Sequence, residues 1–200
     1  MLLSHQKLEP RIHESAYVAP SAVICGDVVI GPHSRIGFGV TVVAEGQRVT
    51  IGSQVIVREN AVIRASKNHP IKISDYVLVG PHATLMGCEI GSEVFLATGT
   101  TIFHGAVIGD KSEVRINGVV HVNSKLPPRS MVPIGWVAVG DPAKIYPPDQ
   151  HDNIWEVQKN LNFPQTVYGL DRLPDGGVDM KELTRRLAES LGEHRSDKLL

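Results

Sequence analysis

Residues 90–114 read IGSEVFLATGTTIFHGAVIGDKSEV, in which Ile90, Leu96, Ile102, Ile108 and Val114 fall six residues apart. A helix returns to one face every three or four residues and a strand every second, so a sustained step of six suits neither alone. It suits a chain that runs a short strand, turns a corner and begins the next strand with an aliphatic side chain again facing inward. The same step recurs outside this stretch, in Ile30, Ile36 and Val42, in Ile51, Val57 and Ile63, and in Ile73, Val79 and Leu85. Three steps make one coil of roughly eighteen residues, and stacked coils bury their Ile and Val columns against one another. The pattern therefore predicts an all-β solenoid of parallel strands over residues 12–148, followed by a helical extension over 149–200. Isolated Ile-Gly and Val-Gly steps, as at Ile30-Gly31, Val79-Gly80 and Ile108-Gly109, read as corners that glycine turns without a Cβ clash.

Composition narrows the classes of function. Charged residues are 20% of the chain and the formal net charge is -1, which gives no basic face for a nucleic acid. Aromatics are only 5%, beside 19 glycines and 13 prolines, as a narrow aliphatic interior with many corners requires. Cys25 and Cys88 lack metal-motif spacing and read as ordinary buried thiols. Neither a signal-peptide stretch nor a membrane-length apolar segment is evident, so a cytoplasmic protein without a membrane partner is expected.

Two excursions break the step, at residues 44–48 and 65–71, and excursions from a rigid scaffold often carry function. Beyond Gly140 the reading changes. Ile154, Val157 and Leu161 form one helical stripe over 149–161, and Trp136 is placed to pack against that helix. Residues 165–178 read as a linker. Asp179 is the expected N-cap of a last helix through Leu183, Leu187 and Leu191, with Glu182 in the capping-box position. The tail beyond His194 is expected to fray.

The stretches Ile51-Gly52-Ser53-Gln54-Val55-Ile56-Val57, Val79 to Gly91 (VGPHATLMGCEIG) and Gly140-Asp141-Pro142-Ala143-Lys144 resemble the hexapeptide-repeat proteins, and within them the γ-class carbonic anhydrase-like family. The resemblance implies a left-handed parallel β-helix and a homotrimer with sites between neighbouring solenoids. It also implies three zinc-ligating histidines, whose positions here hold Arg64, Pro81 and Met86. An arginine stays protonated, a proline has no donor side chain and a thioether suits Zn²⁺ poorly beside nitrogen ligands. The family's Arg-Gly-Asp step matches Val43-Ala44-Glu45, and its Gln-Asp-Gly step matches Arg58-Glu59-Asn60. The expectation is a protein without the family zinc and without carbonic anhydrase activity.

What remains is a set of candidate residues. Glu45, Arg58, Glu59 and Arg64 are expected to cluster, either as a pocket for a small anionic substrate, since guanidinium binds carboxylate or phosphate in bidentate fashion, or as an inter-subunit ion-pair network. His69, in the second excursion, is the candidate general base of an acyl-CoA-dependent acyltransferase, with Glu59 as a second candidate catalytic group. His82, one residue past a family ligand position, is a candidate ligand-binding residue or an interface histidine. His104 and His121, about one coil apart, read as a metal-binding column or as polar groups on one outer face. No cofactor is expected, with acyl-CoA entering only for the acyltransferase. A non-catalytic scaffold subunit is the third reading, and the sequence leaves open whether the protein is an enzyme.

Overall fold

The computed structural model describes residues 1–200 and shows the all-β solenoid with C-terminal helices. Each coil contributes a short strand to each of three faces. The first face is a ten-stranded sheet, of which eight strands from Leu2–Ser4 to Val137–Val139 run parallel, and the other two faces hold seven parallel strands each. Leu2–Ser4, ahead of residue 12, already pairs with Val23–Cys25. The inward residues of the six-residue step are the register partners of adjacent coils, such as Ile63 with Leu85 and Ile102 with Val120. These residues are fully buried, each worth roughly 1.5–3 kcal/mol of apolar burial. Eighteen residues separate Ile102 from Val120, but twenty-two separate Ile63 from Leu85. The excursion at 65–71 accounts for the excess and leaves the register intact.

The glycines of the Ile-Gly and Val-Gly steps do a different job from the one the sequence suggests. Gly31 and Gly80 do not adopt positive φ. A Cβ on either would sit 2.6 Å from backbone of the next coil, Gly52 O and Ala97 C respectively, so these glycines permit close stacking of the coils. The left-handed turn falls two residues later and is mostly carried by other residue types, including Gln54, His82, Lys111 and Arg129.

The C-terminal region departs from expectation in three places. The helix His151–Gln158 forms, with Ile154 buried, and Val157 lies over Gly140. The expected linker begins with a helix instead, Phe163–Tyr168, which has Pro164 in its first turn and ends at Gly169 in left-handed conformation; the ring of Phe163 packs on Phe103 and His121. In the helix Met180–Gly192, Asp179 accepts from the N–H groups of Lys181 and Glu182 as an N-cap should. The Glu182 carboxylate, however, turns to Arg185 and Arg186 rather than closing a capping box. Finally, the tail does not fray. Lys198–Leu199 pairs antiparallel with Leu2–Ser4, Leu3 opposite Leu199, because the edge of the first coil offers free backbone groups. At the other end of the same sheet, Lys144–Tyr146 closes the edge antiparallel to Val137–Val139. No helix is long and apolar enough to cross a membrane.

Candidate functional site

Strand Val62–Ala65 separates the candidate residues into two groups. Ahead of it, at the corner between the third and first faces, lie Arg58 and Glu59. Beyond it, at the corner between the first and second faces, lie Glu45, His69 and the two excursions. The expected four-residue cluster therefore divides. Arg58 donates to Glu59 at 3.0 Å on the exposed corner, whereas Arg64 pairs with Glu45 at 3.3 Å, and no ion pair joins the two. Glu59 and His69, the two candidate catalytic groups, stand at opposite ends of the strand and do not converge. The hydrogen bond from Arg58 helps hold the Glu59 carboxyl below its usual range, after the contribution of the backbone.

His82 is an exposed corner residue with φ 57°. Its N–H donates to Glu59 O in the preceding coil. Arg64 and Met86 are register partners on adjacent strands, and Pro81 lies in the turn ahead of Met86's strand, Thr84–Met86. Arg64 already holds a carboxylate, Met86 offers a thioether and Pro81 offers nothing. This donor set does not fit the three-ligand zinc centre that the resemblance implies.

The corner between the first and second faces carries a run of histidines. His69 and His104 meet edge to face with ring centroids 5.4 Å apart. His104 and His121 are buried rather than displayed on an outer face, and their Nδ1 atoms have no hydrogen-bond partner. Burial lowers the pKa of all three; His104 falls to about 4 because the neighbouring His69 and Arg64 add to the effect of burial. They are neutral imidazoles at pH 7. His69 Nδ1 lies 3.5 Å from Ser66 Oγ. Beside it the excursions and the C-terminal helices enclose an open cleft of about 950 Å³, whose lining includes Glu45, Ser66, Lys67, Tyr168 and Arg186.

At the N-terminal end of this corner is a group that the sequence did not reveal. Asp197 receives His5 Nδ1 on one carboxylate oxygen and His194 Nδ1 on the other, each at 2.7 Å. Cys25 Sγ donates to Asp197 at 3.4 Å, and the two imidazoles stack with centroids 4.3 Å apart. His194 Nε2 faces Glu45 Oε1 at 3.2 Å, which links the group to the Glu45–Arg64 pair. Burial, followed by the Asp197 hydrogen bond, pushes the Cys25 thiol up to about 12. Burial works against the charged form of His194, but its bonds to Asp197 and Glu45 raise its pKa overall. No spacing signal could have found this group, because His5 and Asp197 meet only through the return of the tail to the first coil.

Comparison with known proteins accords with this architecture. A sequence profile described as bacterial transferase hexapeptide (six repeats) matches residues 9–44. "Gamma carbonic anhydrase 1, mitochondrial" of Arabidopsis thaliana is 32% identical over 68% of the chain, and the chain spans about half of its length (49%). A "Probable carbonic anhydrase" of Methanocaldococcus jannaschii is 30% identical over 74% of this chain and 90% of its own. Among solved structures, a hexapeptide transferase family protein from Anaplasma phagocytophilum superposes with a TM-score of 0.52 at 24% identity, over 80% of this chain and 92% of that one; this likeness concerns the fold alone.

Proposed function

Because this chain belongs to the γ-class carbonic anhydrase-like family of hexapeptide-repeat proteins, we propose that it is a homotrimeric member whose zinc-hydration site has been replaced by a binding site for a small anion. One observation carries this reading: Arg64 occupies a family ligand position and is anchored by Glu45 at 3.3 Å while its side chain stays 45% exposed. A guanidinium so held has donors left for a carboxylate or bicarbonate-like oxygen pair, and its partner fixes its orientation. Arg64 puts the free donors of a guanidinium where the family places a zinc ligand, and these bind an anion without generating hydroxide from water. The expected outcome is twofold. Zinc-loaded protein hydrates CO₂ at the buffer rate, and acetate or bicarbonate raises Tm in the unmodified protein but not in Arg64→Ala. Hydration above background, or an anion response that survives Arg64→Ala, refutes the reading.

Trimerisation is part of the proposal. Phe38, Ile116 and Ile134, 57%, 46% and 65% exposed, occupy equivalent positions along the corner between the third and first faces. The adjacent Ile116 and Ile134, with Phe38 farther along the same column, are apolar side chains that favour burial against further copies of the chain.

A second reading rests on His69, a neutral imidazole beside the cleft, which suits a general base in acyl transfer from acyl-CoA to an acceptor hydroxyl or amine. It requires acyl-CoA to raise Tm, and His69→Ala to abolish transfer while keeping that rise. A melting curve indifferent to acyl-CoA removes it.

A further inference from the structure

The donor set at the N-terminal end of the solenoid is the one place in the molecule where three or more histidine, cysteine or acidic side chains converge closely enough to hold a metal ion. We propose that His5, Cys25, His194 and Asp197 form a structural Zn²⁺ site that fastens the C-terminal turn to the first two coils. This proposal does not depend on the anion reading and concerns a different place from the family's zinc position.

Four observations converge on it. First, one ligand atom from each of the four residues lies within 4.8 Å of all the others. Donors around a tetrahedral zinc, with bonds of about 2.0–2.3 Å, lie about 3.3–3.8 Å apart, so small rotations of the side chains complete the site. Secondly, the backbone brings these residues together from separate segments. His5 follows strand Leu2–Ser4 and opens a tight turn closed by reciprocal hydrogen bonds with Leu8; Cys25 ends the neighbouring strand, opposite Leu3; and His194 and Asp197 belong to the turn just before Lys198–Leu199. Thirdly, the site is sequestered. His5 and Cys25 are 3% and 2% exposed, and the side chains of Asp197 and His194 are 12% and 27% exposed. Fourthly, an outer partner is in place, because Glu45 stands 3.2 Å from His194 Nε2 and is itself held by Arg64. A metal-bound imidazole characteristically gives its other N–H to such a carboxylate.

The chemistry of the donors selects the ion. Two imidazoles, a thiolate and a carboxylate make a mixed N, S and O set that suits Zn²⁺ and is too soft for Mg²⁺ or Ca²⁺. With four protein ligands the ion has no open position, which marks a structural rather than a hydrolytic centre. The charges balance as well: one thiolate and one carboxylate neutralise a divalent cation, so nothing buried is left uncompensated. On binding, the thiol proton passes to solvent and Zn²⁺ takes the place of the protons at the two Nδ1 atoms. Each ring then carries its proton at Nε2, where His194 donates to Glu45.

The test uses the full chain, stripped with chelator and titrated with Zn²⁺ or Co²⁺. We expect one equivalent bound per chain. Co²⁺ should give intense tetrahedral visible bands together with a near-ultraviolet thiolate charge-transfer band. Cys25→Ser should abolish that band and weaken zinc binding by roughly 100-fold or more, and Asp197→Asn should weaken it in the same direction. The thiolate band also tells this site from any metal at Arg64 and Met86, where there is no thiol. No metal uptake by the stripped wild-type protein, or Co²⁺ uptake without a thiolate band, overturns the proposal even where a variant fails to fold.

Discussion

His104 illustrates how one residue's surroundings become a measurable property. It is 4% exposed, its Nδ1 has no partner, and burial with His69 and Arg64 nearby places its pKa at about 4. A histidine whose folded pKa is depressed binds fewer protons folded than unfolded. Its contribution is therefore fully present above the unfolded value near 6.5 and is lost as pH falls towards 4. Between pH 7 and pH 5 this amounts to a loss of about 1–2 kcal/mol, with His69 and His121 contributing in the same direction. Urea unfolding at both values should show it, and His104→Leu should flatten the slope; an unchanged slope would assign the acid sensitivity elsewhere. At this scale the sequence was informative about identity and poor about surroundings. It singled out Arg64, Pro81 and Met86 as a set unlike three histidines, but it left His104 and His121 as a metal-binding column or as polar groups on an outer face and did not find them buried, because the six-residue step marks the inward aliphatics and does not describe what covers a corner. Cys25 looked ordinary for the same reason: a spacing rule has no access to partners supplied by a segment that folds back.

The elements show where local pattern suffices and where it fails. Strands of the solenoid are set by an inward aliphatic every sixth residue, so their register is legible without coordinates. Glycine was legible as a requirement, although its cause is the approach of the next coil's backbone rather than the turn. The helix Phe163–Tyr168 was not legible, being six residues long and too short to stand on its own propensity. Phe163 anchors it against Phe103 at a centroid distance of 5.6 Å and against His121 at 6.0 Å, and Asn123 reaches Thr166 at 3.0 Å. Removing the half-buried ring in Phe163→Ala should cost about 1–2 kcal/mol, less than a fully buried phenylalanine. The loss should be local, with amide exchange rising in residues 163–170 and staying low in the strand Thr101–Ile102. Uniformly faster exchange would mean that the helix is integral to the solenoid.

For the whole molecule, stacking alone specifies a rod with three faces, and the sequence predicted that shape. In the proposed trimer, which face meets another copy is set by what lies outside the step. In the column that holds Phe38, Ile116 and Ile134, the coils between Phe38 and Ile116 carry Glu59, Pro81 and Thr98, so no run of apolar residues in the sequence announces it. Ile134→Asp should reduce the mass measured by light scattering from trimer to monomer at micromolar concentration without loss of the β circular-dichroism signal, because Ile134 points away from the core. A trimer unaffected by that charge would place the contact on another face.

The pairing of Leu3 with Leu199 has a consequence for how the protein is made. Synthesis runs from the N-terminal to the C-terminal side, so strand Leu2–Ser4 emerges before Val23–Cys25, which then covers one side of it. Its other side stays bare until the ribosome reaches Leu199. Throughout that interval the nascent chain displays an open β edge, able to accept a strand from a neighbouring polypeptide. Sealing of strand Leu2–Ser4 thus waits on a segment made long after it, and shielding of that edge matters most in the interval.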